Sequence, residues 1–154
     1  MSVLEVLHAE IKDELENLKK LLDEAKEIKQ KESSNVNIRA GGSILHDFYT
    51  GAEKIFEMIA NTIDKRVPSG LRWHAELLNQ MTLEIPGLRS HIISKDTAKM
   101  LDEYLRFRHL FRKRYGFELE WKNIKHLLKK MSLVCVALEK DINEAFGSKE
   151  NEKV

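Results

Sequence analysis

The sequence predicts an all-α protein, an up-and-down bundle of four long helices and one short helix. Long segments repeat apolar residues every three or four positions, and no segment shows the alternation typical of a strand. Charged residues make up 33% of the 154 positions, whereas there are only two prolines and seven glycines. This length suits a single domain, which we expect over residues 1–146, followed by a disordered polar tail, residues 147–154.

The first predicted helix spans residues 2–31 and carries an apolar stripe with coiled-coil-like spacing. The members of the stripe are Leu4, Leu7, Ile11, Leu18, Leu21, Ala25 and Ile28. Glu14 is the one misfit, beside Leu15. We expect the stripe to pack into the bundle core instead of forming a separate coiled coil, and the helix to end before residues 33–35, which read Ser-Ser-Asn.

The second predicted helix spans residues 38–65. Its expected inner face consists of Ile44, Phe48, Ile55, Phe56, Ile59 and Ile63. Glycine inside a helix is unfavourable by about 1 kcal/mol relative to alanine, yet Gly41, Gly42 and Gly51 all fall here. They indicate either the close approach of a neighbouring helix or a later helix start, near Ser43.

A turn at residues 67–70, which contains proline and glycine, precedes a short helix predicted from Leu71 to Met81. Residues 84–93 are expected to form a loop. Ser94 then suits the N-cap of a fourth helix that runs to about Tyr115.

Gly116 is expected to stop the fourth helix as a left-handed C′ glycine. The last helix is predicted from Trp121 to Phe146, and its apolar seam is Ile124, Leu128, Met131, Cys135, Leu138 and Ile142. Cys135 is the single cysteine, so an intrachain disulfide is excluded, and its apolar neighbours predict a buried structural thiol.

Charge is unevenly distributed, although the formal net charge is only +1. Residues 1–34 contain nine acidic and six basic residues, a net charge of −3, whereas residues 105–130 contain nine basic and two acidic residues, a net charge of +7. A local charge of this size can attract a polyanion. Because the N-terminus lacks the pattern of a signal peptide and no apolar run approaches the roughly 20 residues of a membrane helix, we expect a cytoplasmic protein that does not enter a membrane.

The most basic segment, LRFRHLFRKRYGFELEW, covers residues 105–121. Five basic side chains fall within nine positions, with no acid among them: Arg106, Arg108, Arg112, Lys113 and Arg114. Helical spacing places the polar side chains on two adjacent faces, namely Arg108, Arg112 and Tyr115 on one and Arg106, His109 and Lys113 on the other. The remaining apolar positions, Leu105, Phe107 and Phe111, are left for the core side.

This basic segment permits two interpretations. The cations lie near a helix C-terminus, where the macrodipole favours them by about 0.3–1 kcal/mol each at low salt, and they can form a simple solvated face. Alternatively, they form a phosphate-binding surface, because the planar fork of arginine matches phosphate and a tyrosine can stack on a base.

Three stretches together resemble a known family. FRHLFRKRYG in the fourth helix, HDFYTGAEKIFEMIA in the second and RWHAELLNQM between them are similar to the HepT-like branch of the HEPN superfamily, and the resemblance extends over residues 5–146. It implies a HEPN-like helical bundle that is usually a homodimer, and a metal-independent endoribonuclease toxin without a cofactor. It also implies a partner, a minimal nucleotidyltransferase that uses ATP and can silence the toxin by adenylylating a tyrosine.

The family signature is an arginine, four to six intervening residues, a histidine, and often a tyrosine two positions later. By this resemblance Arg108 is the motif arginine and Tyr115 the adenylylation acceptor, but Lys113 occupies the histidine position. A lysine suits a phosphate, but it carries its proton at neutral pH and is a poor base. His109 can replace the histidine if the bundle or a second copy brings it into the same cleft. The candidate catalytic residues are Arg108, His109 and Lys113, and the candidate RNA-binding residues are Arg106, Arg112 and Arg114.

His46 and Asp47 form a second group of candidates. Adjacent residues on a helix point apart, so we do not expect them to pair. His46 is expected to pack beside Phe48 or Tyr49 as a structural histidine, or to approach Arg108 or Tyr115 from the second helix.

The other histidines do not belong to any recognisable motif. His74 is expected to pack on Trp73, His91 to lie in a loop, and His8 and His126 to be solvated. No pair has the HxxxH or ExxH spacing of a metal site in a bundle, so no metal is predicted.

Three functions remain open from the sequence: a HepT-like ribonuclease toxin, a catalytically inactive HEPN subunit that binds RNA or a nucleotide and partners a nucleotidyltransferase, and a helical protein whose basic stripe contacts an acidic protein surface.

Overall fold

The computed structural model describes residues 2–151 and the side chains of residues 2–147. Its helices are α1 (Val3–Ile28), α2 (Asn35–Ile59), α3 (Trp73–Gln80), α4 (Lys95–Lys113) and α5 (Trp121–Asn151). A π-helical turn, Ala60–Asp64, extends α2, and a 3-10 turn, Gly116–Glu118, joins α4 to α5. The predicted all-α bundle of four long helices and one short helix is confirmed. Within the described part of the chain, none of the helices combines the length and apolarity that a bilayer crossing requires.

Serine side chains cap the N-termini of three helices. Ser2 accepts a hydrogen bond from the backbone N–H of Glu5 in a capping box at α1, and Ser34 caps α2 by accepting from the backbone N–H of Asn37. Ser94 caps α4, as predicted. Because Ser34 starts α2 well before Ser43, the alternative of a later start for the second helix is wrong.

Close packing around α2 explains its internal glycines. A Cβ atom on Gly41 would lie 2.6 Å from Ile124 of α5, and one on Gly51 would lie 2.6 Å from Leu18 of α1. Neither neighbour leaves room for a side chain, so the interpretation of these glycines as points of close helix approach is confirmed. α2 therefore lies at the centre of the bundle.

The apolar seams follow the sequence pattern with one change. All six predicted seam residues of α5 are buried, including Cys135, and burial raises the pKa of its thiol. In α1, however, Leu4 is exposed and Leu15 is buried. Leu15 lies one turn after Ile11 and so continues its face, which the strict seven-residue spacing overlooked.

Several helix ends differ from the predicted ones. α4 stops at Lys113, and Gly116 is not left-handed: it is buried against Arg39, whose Cγ would lie 2.8 Å from an added Cβ. Glycine is thus required at position 116 because a side chain there would collide with Arg39. α5 continues past Phe146 to Asn151, and the remainder of the predicted tail, residues 152–154, lies outside the described residues.

A buried ion pair fastens the loop before α4 to the end of α2. Arg89 donates from Nε to Oδ1 of Asp64 at 2.6 Å and from Nη2 to Oδ2 at 2.8 Å. It also donates to the backbone carbonyls of Leu83, Ser90 and Gln80. Every donor of the guanidinium is used, so this arginine fixes the loop and with it the position of α3.

We expect Asp64→Asn to destabilise the protein and to weaken the pH dependence of its stability. Burial raises the pKa of Asp64, but hydrogen bonds from Arg89 and Gln80 outweigh it, so the pKa lies below the ordinary 3.8. A lowered pKa stabilises the fold above the unfolded-state pKa, and this stability is lost as the pH falls through the folded-state pKa. The free energy of unfolding should therefore fall by about 1.5–3 kcal/mol at neutral pH, with a shallower decline below about pH 5.

Urea unfolding at neutral and acidic pH measures both effects. Asp13→Asn, which changes an exposed carboxylate of α1, is the matched control and should shift the free energy of unfolding by less than about 0.5 kcal/mol. A wild-type pH dependence in Asp64→Asn would show that the ion pair with Arg89 does not stabilise the fold.

Candidate functional site

A cleft of about 580 Å³ opens between α3 and α4. Its apolar walls are Leu71, Ala75, Leu105 and Leu110, and its polar lining is Arg72, His74, Asp102, Arg106, Arg108, His109 and Arg112. The cleft thus brings together four of the predicted site residues, all from α4. It adds His74 and Arg72 from the start of α3, which the sequence did not assign to the site.

Arg108 forms part of the cleft floor and is only 3% exposed. Its Nη2 donates to Glu53 Oε1 at 3.0 Å and to Oε2 at 3.1 Å, and its Nη1 donates to Thr50 at 3.2 Å. The guanidinium also lies over the ring of Tyr49, 4.9 Å from its centroid. The prediction of a surface-exposed Arg108 is wrong, because Glu53 on α2 supplies the opposite charge that allows an arginine to be buried.

His74 completes this buried cluster from the first turn of α3. Its Nδ1 lies 2.8 Å from Oε2 of Glu53 and 2.9 Å from Nη2 of Arg108. The ring packs on Trp73 with 3.7 Å between centroids, as the sequence predicted. The contacts of His74 with Glu53 and Arg108 were not predicted from the sequence. The sequence does contain one sign of them: Glu53 is an acidic residue within the apolar face of α2, next to Ala52 and Phe56, and a buried acid needs a partner.

The rim of the cleft carries the exposed cations Arg72, Arg106 and Arg112. Arg106 pairs with Asp102 at 3.1 Å, but its side chain is 72% exposed, so this pair contributes about 1 kcal/mol at most. Arg112 forms no salt bridge with any side chain that the structure describes. The rim is therefore positively charged and accessible to an anionic ligand.

The remaining basic residues lie beyond the helical part of the segment. α4 ends at Lys113, and the backbone of Arg114 is extended, so Tyr115 does not share a face with Arg108 as predicted. Instead, Tyr115 is 70% exposed and stacks on Phe117, with ring centroids 5.3 Å apart. Lys113, Arg114 and Tyr115 are exposed and do not line the cleft.

His46 and Asp47 lie outside the cleft. Nδ1 of His46 lies 3.5 Å from Oδ1 of Asp47, contrary to the prediction that these two residues do not pair. His46 packs against Phe111, with 5.6 Å between ring centroids, and not beside Phe48 or Tyr49, which are fully buried in the core. This second group of candidates therefore makes no contact with Arg108 that the structure describes.

The arrangement defines a class of protein: an all-α bundle with an arginine-rimmed cleft that has a carboxylate, an imidazole and a guanidinium at its floor. Such a cleft can bind an anion and transfer a proton. Among the described residues, no group of three or more histidine, cysteine or acidic side chains is placed to hold a metal ion.

A family model described as HepT-like protein matches residues 40–148. The match covers more than half of the chain and includes Glu53, His74 and Arg108. The chain therefore belongs to the HepT-like family, which confirms the resemblance seen in the sequence. Comparisons with curated proteins and with solved structures yielded no significant match.

We expect Glu53→Ala to destabilise the protein by about 3–5 kcal/mol, because it leaves Arg108 buried without an opposite charge. Chemical denaturation measures the free energy of unfolding. Glu57→Ala, one turn further along α2, is the matched control. Burial and the neighbouring charge of Glu53 raise the pKa of Glu57, so its removal should cost less than about 1 kcal/mol. Equal effects of the two substitutions would contradict a stabilising role for the Arg108–Glu53 pair.

Proposed function

We propose that this HepT-like protein is a metal-independent endoribonuclease, the toxin component of a pair whose other member is a minimal nucleotidyltransferase. One observation carries the proposal: Arg108 and His109 line the same cleft, beneath an accessible arginine rim. Because His109 lies in the same cleft as Arg108, it is a suitable replacement for the histidine that the family motif has at position 113. Family membership supports the general class of the protein, and the cleft supports an RNA substrate.

The residues of the cleft suit the chemistry of RNA cleavage. Attack of a ribose 2′-hydroxyl on the adjacent phosphate requires proton transfer and stabilisation of the charge on the phosphorane. Arg106 and Arg112 at the rim bind phosphate oxygens, Arg108 contributes positive charge at the floor, and His109 transfers a proton. Flanking phosphates of the RNA strand contact Lys113 and Arg114, which are both exposed.

A second candidate function has its own observation. Glu53 offsets the charge of Arg108, which limits how strongly that arginine can stabilise a phosphorane. A cleft with this property can bind RNA or a nucleotide without cleaving it. The protein would then be a catalytically inactive HEPN subunit that partners the nucleotidyltransferase.

The partner and the oligomer belong to the same proposal. Tyr115 projects from the turn between α4 and α5, where its exposed hydroxyl suits modification by an ATP-using nucleotidyltransferase. The stacked rings of Tyr115 and Phe117, which is 64% exposed, form an apolar surface beside the basic segment. We propose that the protein forms a homodimer that brings two clefts together and leaves Tyr115 accessible to the nucleotidyltransferase.

We expect the purified protein to cleave single-stranded RNA in the presence of EDTA, and His109→Ala to lose most of this activity. Proton transfer by a positioned side chain contributes about 10²- to 10⁴-fold to a rate. Arg112→Ala should weaken RNA binding and flatten its salt dependence by about 0.7 log units for each phosphate that the variant no longer binds. Gel-based cleavage and fluorescence anisotropy measure the two effects.

Lys26→Ala is the matched control, because it removes an exposed cation of α1 that does not line the cleft. RNA binding without cleavage by the wild-type protein would favour the inactive subunit. Unchanged binding in Arg112→Ala would mean that the rim is a solvated face.

We expect incubation with the partner nucleotidyltransferase and ATP to attach AMP to Tyr115, and Tyr115→Phe to abolish the modification. The other two tyrosines, Tyr49 and Tyr104, are fully buried, so they are closed to an enzyme acting on the folded protein. Phenylalanine at position 115 retains the stacking on Phe117, which makes this variant a clean test. Intact-protein mass spectrometry gives the result, and a modified Tyr115→Phe protein would refute the assignment.

A further inference from the structure

His74 reaches the cleft from the first turn of α3 and contacts the buried ion pair at its floor. Its Nδ1 lies within hydrogen-bond distance of both Glu53 and Arg108, at 2.8 and 2.9 Å. The side chain is nevertheless 30% exposed and forms part of the cleft lining. Because Nδ1 is engaged with the ion pair, Nε2 is the ring nitrogen that remains available to a ligand in the cleft.

The contact with Glu53 favours a hydrogen on Nδ1 of a neutral His74. A carboxylate paired with arginine accepts hydrogen bonds and donates none, so the 2.8 Å contact with Glu53 requires a hydrogen on Nδ1. Nη2 of Arg108 lies 2.9 Å from Nδ1 as well, and it donates to Oε1 of Glu53 at 3.0 Å and to Oε2 at 3.1 Å. An ionised carboxylate is a stronger acceptor than an uncharged ring nitrogen, so we assign the ring hydrogen to Nδ1, where it is donated to Glu53. With the hydrogen on Nδ1, Nε2 keeps a lone pair for the cleft.

We propose that His74 is the general base of RNA cleavage in this cleft and that Glu53 positions its ring. The inference rests on the proposed ribonuclease function and deepens it, because it supplies the base that Lys113 at the motif position does not provide. Nε2 takes the proton of the 2′-hydroxyl as the 2′-oxygen bonds to phosphorus, and the bond from phosphorus to the 5′-oxygen breaks. His109 gives a proton to the 5′-oxygen, and exchange with water then removes the added proton from His74 and returns one to His109. The products are a 2′,3′-cyclic phosphate and a 5′-hydroxyl.

The charges around His74 suit this role. Glu53 faces the ring from α2 and stabilises the imidazolium that forms, and Glu57 adds negative charge one turn away. Arg108 faces the ring from α4 and opposes the imidazolium, which favours return of the proton to water. A carboxylate that holds an imidazole in one tautomer and offsets its transient charge is the arrangement found in hydrolytic triads.

The first test compares His74→Ala with the wild-type protein in single-turnover RNA cleavage with EDTA. We expect the rate to fall about 10²- to 10⁴-fold while RNA affinity stays within about twofold. Added imidazole should restore part of the rate, because it can occupy the space left in the cleft. His74→Gln, which keeps a polar partner for Glu53 but has no basic nitrogen, should be equally slow. His91→Ala, in an exposed loop, is the matched control and should cleave normally.

The second test is Glu53→Gln, which asks whether Glu53 positions the ring. The amide NH₂ of glutamine can donate to Nδ1, which shifts the hydrogen of His74 to Nε2 and removes its lone pair from the cleft. We expect a lower kcat with an unchanged KM, and no restoration by imidazole, because the ring of His74 still fills its site. Thermal unfolding followed by circular dichroism confirms that the variants are folded.

The outcomes separate the inference from the function on which it rests. Cleavage by His74→Ala and His74→Gln at the wild-type rate would overturn the assignment of the base and leave the ribonuclease function standing. A slow His74→Ala protein without rescue by imidazole would assign His74 a structural role and also overturn it. Failure of the wild-type protein to cleave RNA would overturn the ribonuclease function itself, and the general base with it.

Discussion

The buried ion pair between Arg108 and Glu53 is the interaction on which the rest of the structure depends. Two charges withdrawn from water are tolerated only when they meet each other in good geometry, with their remaining hydrogen-bonding groups satisfied. Here that condition involves three helices, because α4 supplies Arg108, α2 supplies Glu53 and Thr50, and α3 supplies His74. A shift of α2 relative to α4 would leave a buried charge without its partner, so the pair sets the relative position of these two helices, and His74 ties α3 to both charges.

The same helix that holds Glu53 also organises the apolar core. Glycines on α2 allow α1 and α5 to approach closely, as the short distances at Gly41 and Gly51 show. Glu53 is the one acidic residue buried among the side chains of this helix. Core packing and the candidate site are consequently coupled through α2. The buried pair of Arg89 with Asp64 adds a second anchor, since it fixes the segment that leads from α3 to α4.

Tertiary structure divides the basic segment into parts with different properties. Arg108 is neutralised at the cleft floor, the rim arginines keep their charge in solvent, and the residues from Lys113 onward leave the helix. The positive charge that a polyanion can reach is therefore that of the rim, where solvent and salt screen each charge. In the proposed reaction, proton transfer takes place at the floor, where His74 meets a carboxylate in a partly buried setting.

The sequence by itself determined the all-α class, the order of the helices, the serine cap at Ser94 and the seam of α5, because each depends on local spacing and local hydrogen bonds. It also revealed the HepT-like family and identified Arg108 as a candidate site residue. It did not reveal that Arg108 is buried, nor that Glu53 and His74 join it, because these residues are 55 and 34 positions away along the chain. Helical periodicity describes which residues share a face of one helix. Which faces meet, and which charges are thereby withdrawn from water, depends on the packing of α2, α3 and α4 together, and only the tertiary structure decided it.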